Sequence, residues 1–382
     1  MIYLDNSATS KYKPKCVIDS MVYELTHSAN AGRGAHAQAI ATAQRIFDTR
    51  QYLLSALGGS GQHSLIFTSG CTSALNLAII GFLQNFKGQD IDVITTSNEH
   101  NATIRTLFFL KKSIHINIIE VKPQFDGSIN PKDIERNITK NTRLVCVCHI
   151  SNVTGAMTDI YSIGKILKKR NIAFLVDSAQ SLGHVSINVK DANIDFLACA
   201  GHKGLHGPQG VGMLIWNTAL PLQPITFGGT GTDSLMPDQP TTIPEGYEAG
   251  TINAVGIVGM GEGARWTMDN IRQINLHTRY LASELLYALR QNNRVTLYST
   301  MSTGVVSFNI GDIPSTVVAD YLNSVGIGVR AGLHCAPWTH RCFGTTEQGM
   351  VRASIGYNNT IRDIKSLVNA VENMPKSLAQ LQ

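Results

Sequence analysis

Between residues 172 and 212 the chain reads IAFLVDSAQSLGHVSINVKDANIDFLACAGHKGLHGPQGVG. Two unbroken apolar runs, 172–176 and 196–200, are too short for typical helices and have the length of strands buried on both faces. The first run ends on Asp177. The second ends on Gly201-His202-Lys203-Gly204. In an open parallel sheet the working residues sit at the carboxyl ends of the strands, so a carboxylate and a lysine face one crevice. A lysine among small glycines can reach a planar aldehyde and bond to it covalently, and a neighbouring carboxylate can keep a pyridine nitrogen protonated. Those are the two groups that pyridoxal 5'-phosphate requires.

The rest of the chain repeats the strand–helix alternation of an α/β protein with a mostly parallel sheet. Helices are expected from Pro14 to residue 25 and over 37–57, and a strand over 64–67. That strand runs through Thr68-Ser69-Gly70-Cys71-Thr72-Ser73 into an apolar helix over 74–86, a turn of small and hydroxyl residues suited to an anion. Strands over 91–95, 115–121 and 144–149 alternate with helices at 101–112, 131–137 and 160–169. Residues 213–216 read as an antiparallel strand, and 228–250, rich in Gly, Pro and Thr, as a long loop. Two helices, 253–273 and 276–292, lead to a smaller α+β region. It has strands near 295–298, 305–310, 327–330 and 350–354, helices near 315–324 and 361–374, and an irregular, mobile segment over 331–350. The expected domains are a large one over 15–255 and a small one formed by 1–14 with 256–382.

With 43% hydrophobic and 15% charged residues and a net charge of +5, the composition is that of an ordinary soluble globular protein, though low in charge. No basic patch interleaved with aromatics points to nucleic acid, and no apolar run approaches a membrane span. The start MIYLDNSAT lacks a basic region and a long apolar run, so no secretory leader is expected. The seven cysteines form no CxxC pair, which predicts reduced thiols, a cytoplasmic location and no metal site.

Asp177-Ser178-Ala179-Gln180, Gly201-His202-Lys203, Glu248-Ala249-Gly250-Thr251 and Arg330-Ala331-Gly332-Leu333-His334-Cys335-Ala336 follow one another in this order. In this combination the chain resembles the class V aminotransferase-like cysteine desulfurases with a short segment around the catalytic cysteine. The resemblance runs from Tyr3-Leu4-Asp5-Asn6 to the last helix. It implies a fold-type I pyridoxal-phosphate enzyme that converts L-cysteine to L-alanine and leaves a persulfide on Cys335. It further implies a homodimer, a sulfur-acceptor or scaffold protein as partner, and a place in sulfur metabolism such as iron–sulfur cluster assembly.

The roles implied by the resemblance are specific. Lys203 tethers the cofactor and moves the Cα proton. Asp177 pairs with the pyridine nitrogen, His100 stacks on the ring and Gln180 bonds the ring oxygen. Thr72 and His202 hold the phosphate, with Cys71 in the same turn and Thr251 reaching in from the other subunit. Asn152 and Arg352 bind the substrate carboxylate. Cys335 attacks the substrate sulfur, helped by positive charge from Arg330 and His334. Cys146, Cys148, Cys199 and Cys342 read as buried small hydrophobes. Ala200 and Cys71 depart from the family pattern, the first by lacking a hydroxyl for the phosphate. The rival readings are a selenocysteine lyase, a transaminase or β-lyase that does not use Cys335, and a sulfur-trafficking binding module.

Overall fold

The computed structural model describes residues 1–32, 34–232, 235–299 and 303–375. The strands in chain order are β1 (Ile2–Tyr3), β2 (His63–Thr68), β3 (Ile91–Thr96), β4 (Ile116–Val121), β5 (Thr142–Cys148), β6 (Ala173–Asp177), β7 (Phe196–Ala200), β8 (Gly212–Asn217), β9 (Val295–Leu297), β10 (Val305–Ile310), β11 (Ile327–Gly328), β12 (Arg330–Gly332) and β13 (Met350–Ser354). The helices are α1 (Lys15–His27), α2 (Ala37–Ala56), α3 (Cys71–Leu83), α4 (Asn101–Leu110), α5 (Pro131–Arg136), α6 (Ile160–Lys168), α7 (Ala254–Arg290), α8 (Ser315–Ser324), α9 (Pro337–Cys342) and α10 (Ile361–Glu372).

The two apolar runs are adjacent parallel strands, with Val176 opposite Leu197 and Asp177 opposite Ala198. They lie inside a 7-stranded sheet of order β2-β8-β7-β6-β5-β3-β4. Strands β3 to β7 are parallel, and β8 runs antiparallel between β7 and β2. Side chains alternate across the sheet as a strand's pleat requires. Phe174 and Val176 join the core under α2, α6 and the start of α7. Ala173 and Leu175 face the layer built on α3 and α4. Burial on both faces explains why β6 and β7 carry no polar residue before their last positions.

A second sheet, β12-β13-β10-β9, packs with α8, α10 and the far half of α7. The chain's start joins this region: β1 pairs with β11, and Asp5 bridges to Ser354.

Three expectations are corrected. The helices expected over 253–273 and 276–292 are one continuous 37-residue helix, α7. Asn275 does not end it, because its side-chain amide donates to His184 O at 2.8 Å and is not left to compete for the helix backbone. The strand expected near 327–330 is two short strands that serve different sheets, β11 and β12. The segment 331–350 is not irregular. It holds the end of β12, helix α9 and the start of β13, and packs Ala336 against Val153 and Met350.

Candidate active site

The carboxyl ends of β5, β6 and β7 lie side by side and deliver Cys148, Asp177 and the Gly201–Gly204 turn to one crest of the sheet. A cavity of about 280 Å³ opens there. It is lined by Gly70, Cys71, Thr72, His100, Cys148, Asn152, Asp177, Gln180, Ala200, His202 and Lys203, among others. Of the site residues expected from the sequence, Thr251, Arg352, Cys335 and the two charge donors Arg330 and His334 are not on this wall.

Asp177 is the last residue of β6 and is 5% exposed. Its hydrogen bonds both end on Oδ1: Ala179 N–H donates at 2.9 Å and the Cys71 thiol at 3.4 Å. Oδ2 is thereby left for a group in the cavity. Cys71, expected in the phosphate turn, thus directs its sulfur toward the carboxylate, and burial followed by the Asp177 charge pushes its thiol pKa well up. Burial also pulls the Lys203 ammonium below its usual range, against the Asp177 charge. The turn that carries Lys203 is braced by two glycines. A Cβ at Gly204 would stand 2.2 Å from Leu182 O, and one at Gly183 2.2 Å from Gly204 O.

His100 caps the N-terminus of α4, its Nδ1 accepting from Ala102 N–H at 3.0 Å. An accepting Nδ1 puts the proton of the neutral ring on Nε2. Burial, the main cause, keeps the ring's pKa below the ordinary histidine value. Gln180 donates from Nε2 to Ser7 O at 2.9 Å, which leaves one amide hydrogen unspent.

At the other end of the cavity, α3 starts at Cys71 after Gly70, whose φ is +156° and which makes no side-chain cap. The first N–H groups of α3, the Thr72 hydroxyl and the buried Nδ1 of His202, which has no partner, face the same space. Burial first, then the lysine charges nearby, lowers His202 to about 4. Thr251 lies on an adjoining cavity of about 620 Å³ that shares Ser69, Thr72 and Ser73 with the first. Its loop is fastened by Glu248, which accepts from Arg50 at 2.7 and 2.8 Å and from Phe67 N–H at 2.7 Å on the open edge of β2.

Arg352, in β13, is 2% exposed. It donates to Asp5 Oδ1 at 2.9 Å and to Asn152 O at 2.9 Å, while its buried Nε has no partner. Asn152 donates one Nδ2 hydrogen to His334 O at 2.7 Å, which leaves the other unspent, and its Oδ1 is buried and unpartnered.

Cys335 is exposed and free. Its carbonyl accepts from Asn101 N–H at 2.7 Å, so the thiol's own residue is bonded to the one after His100. Two expectations about the cysteines and their surroundings fail here. Cys342 is exposed rather than buried, because it ends the short surface helix α9. His334 supplies no positive charge: its ring is buried against His340, and burial lowers its pKa to about 2.

Sequence reasoning also missed Glu99. It is fully buried in the turn between β3 and α4, accepts from Thr96 Oγ1 at 2.8 Å and Cys148 N–H at 2.6 Å, and is raised to about 8 chiefly by burial. A carboxyl between an apolar strand and His100 was the available signal.

The family model Aminotransferase class-V matches residues 2–367. The chain belongs to the class V aminotransferase family. Among its class V relatives, a probable cysteine desulfurase of Pyrococcus abyssi is 32% identical over 393 residues, covering 100% of this chain and 96% of that protein. A probable cysteine desulfurase of Halalkalibacterium halodurans is 31% identical over 379 residues, covering 97% and 92%. The apo structure of a cysteine desulfurase from Thermococcus onnurineus superposes with a TM-score of 0.87 at 30% identity, covering 97% of this chain and 94% of that one. The S-sulfonic acid form of a cysteine desulfurase from Escherichia coli gives 0.85 at 25% identity, covering 97% and 93%.

The fold is therefore the fold-type I class, and the class V cofactor is pyridoxal phosphate. The cavity fits that group at both ends. A free carboxylate oxygen and a lysine share one wall. An uncapped helix N-terminus and an unpartnered buried imidazole nitrogen stand where a phosphate needs donors.

Proposed function

We propose that this class V enzyme is a cysteine desulfurase, which converts L-cysteine to L-alanine and stores the sulfur as a persulfide on Cys335. The observation that carries the reading is the bond from Asn101 N–H to Cys335 O, which fixes an exposed thiol's residue to the wall that bears His100. A transaminase or β-lyase has no use for a thiol held there.

Bound pyridoxal phosphate supplies a carbonyl carbon for the substrate amine and a sink for charge developing at the substrate Cα. Lys203 tethers it through Nζ, and the same amine, with its pKa lowered by burial, takes the Cα proton. Asp177 Oδ2 holds the pyridinium proton. His100, its proton on Nε2, would stack on the ring, and the unspent amide hydrogen of Gln180 would bond the ring oxygen. Thr72, His202 Nδ1 and the first N–H groups of α3 hold the phosphate. Arg352 Nε, which has no partner, and the second Nδ2 hydrogen of Asn152 receive the substrate carboxylate.

The sulfur step is a displacement at sulfur. The Cys335 thiolate forms a bond to the substrate sulfur, the Cβ–S bond breaks, and its electron pair stays on Cβ, which then takes a proton. Oxidation of two thiols to one persulfide is matched by reduction of Cβ to a methyl group, so no further oxidant is required.

The same proposal extends to the assembly. Thr251, on a loop fastened by Glu248, completes the phosphate site of a second copy, and exposed Ile40, Phe47 and Phe227 lie on apolar surface available to it. The proposed domains are 15–255 and the union of 1–14 with 256–382. Among the described residues no helix is long and apolar enough to cross a membrane, and the proposed location is the cytoplasm. A protein acceptor draws on the persulfide at the exposed thiol.

The test is product analysis. Holoenzyme given L-cysteine and a reductant should release alanine and sulfide in equal amounts. Pyruvate and ammonia in place of alanine would identify a β-lyase instead.

A further inference from the structure

His334 and Cys335 are consecutive non-glycine residues in the left-handed region, with φ of +50° and +57°. The Cβ of an L-residue crowds its own backbone in that region, so such pairs persist only where neighbours over-determine them. Here the neighbours can be named. Asn152 Nδ2 donates to His334 O at 2.7 Å and Asn101 N–H to Cys335 O at 2.7 Å. Those two bonds fix the carbonyls.

The side chain of His334 is fixed from beneath. Its ring lies nearly parallel to that of His340, 21° apart, with His334 Nδ1 3.4 Å from His340 Nε2. His340 is fully buried, and its Nδ1 is 2.9 Å from Thr345 Oγ1. The base of this stack is closed, since Thr345 N–H donates to His340 O at 2.9 Å. Burial holds both rings neutral, with His340 near 4 and His334 near 2, so neither acts as a cation beside the thiol. A buried pair of neutral rings ending on a threonine performs no proton chemistry at the cavity wall. What it does is set the height and tilt of His334.

We propose that His340 is a positioning residue for the nucleophile: it props the His334 ring and so keeps Cys335 in its left-handed conformation, aimed for sulfur transfer. The inference rests on Cys335 being the sulfur-accepting thiol. It adds that the thiol's aim is set by a residue that touches neither substrate nor cofactor.

The two nitrogens of His340 have separate partners, which makes the test sharp. In His340→Gln an amide reaches the position of Nε2 and can still contact His334. In His340→Asn an amide reaches the position of Nδ1 and contacts only Thr345. Three readouts on holoenzyme distinguish aim from general stability: single-turnover persulfide formation on Cys335 by mass spectrometry, KM for cysteine, and alkylation of Cys335 by iodoacetamide without substrate. His340→Ala and His340→Asn should slow persulfide formation roughly tenfold and change the alkylation rate, with KM and the cofactor's visible band unaltered, and His340→Gln should recover most of the loss.

A second comparison stands even if the alanine variant does not fold. Glycine accepts φ of +50° freely and alanine does not, so His334→Gly should outpace His334→Ala by roughly fivefold. Equal rates for all His340 variants and wild type, or equal rates for His334→Gly and His334→Ala, would overturn the proposal. Absence of any persulfide in wild type would instead defeat the desulfurase reading, and the alkylation rates would still report on the aim of Cys335.

Discussion

The two halves of this site are built by different means. The cofactor wall stands on the ends of β5, β6 and β7, where each strand is hydrogen-bonded on both sides and buried on both faces. The sulfur half stands on a turn between β12 and α9, held by two bonds to its backbone carbonyls, a stack of histidines and a surface ion pair. That pair, Arg341 with Glu120, ties α9 to the end of β4. The contrast teaches that a group needing a fixed place sits on the sheet, whereas the proposed nucleophile, Cys335, sits on a separately anchored piece. The segment is ordered, so any movement of Cys335 must start from a defined position rather than from a disordered arm.

If the halves are separable, variants should sort into two classes. The largest effect is expected at Lys203. Lys203→Ala should remove both the visible band and turnover, with a loss of kcat of roughly 10⁴-fold or more. A Lys203→Ala protein that keeps the band would break the assignment of the tether. Cys335→Ala should give an equally complete loss of sulfur transfer but keep the band and the binding of cysteine, which a spectral titration reads directly. Loss of the band in that variant would mean that the two halves are one structural unit.

Asp177→Asn comes next. The amide cannot hold a proton at the ring nitrogen, so kcat should fall by roughly 10²- to 10⁴-fold while cofactor is retained. Wild-type turnover would show that Asp177 serves Ala179 and Cys71 only. Arg352→Ala should act mainly on KM, since a lost buried ion pair to a carboxylate costs on the order of 2–5 kcal/mol. An unchanged KM with lower kcat would restrict Arg352 to its bonds with Asp5 and Asn152.

The smallest effect on activity, and a distinct one on stability, is expected at Glu99. Its folded pKa, about 8, lies above its unfolded value, so the folded chain keeps a proton that the unfolded chain releases. Stability therefore falls as pH rises from about 4.5 to about 8 and is flat in this term outside that window. Glu99→Gln should abolish that component of the slope in denaturant melts taken across the window. An unchanged slope would show that Glu99 is ionised inside the fold.

The same contrast explains what could be read from the sequence. Strands buried on both faces announce themselves as short apolar runs, and their end residues follow, so the placement of Asp177 and Lys203 at one crest was legible from the two runs and the residues that end them. The remaining site residues became legible only through motifs, because a lone His100 or Arg352 has many ordinary uses. The order of segment 331–350 left no periodic trace, since its anchors are Asn101 N–H, the Asn152 amide and the His340 ring, all distant from it or hidden in α9. Helix α7 looked broken for a similar reason: the partner that occupies Asn275 is His184 O, far away in the chain.

The central claim is that Cys335 receives the sulfur while the sheet-borne wall handles the amine. Brief exposure of wild-type holoenzyme to L-cysteine, followed by mass spectrometry of the peptide carrying Cys335, tests it most directly. The account predicts one added sulfur atom on that peptide, removable by a reductant, with alanine formed in equal amount and none on the peptides carrying Cys71 or Cys148. An unmodified Cys335 peptide, with pyruvate as product and Cys335→Ala fully active, would contradict it.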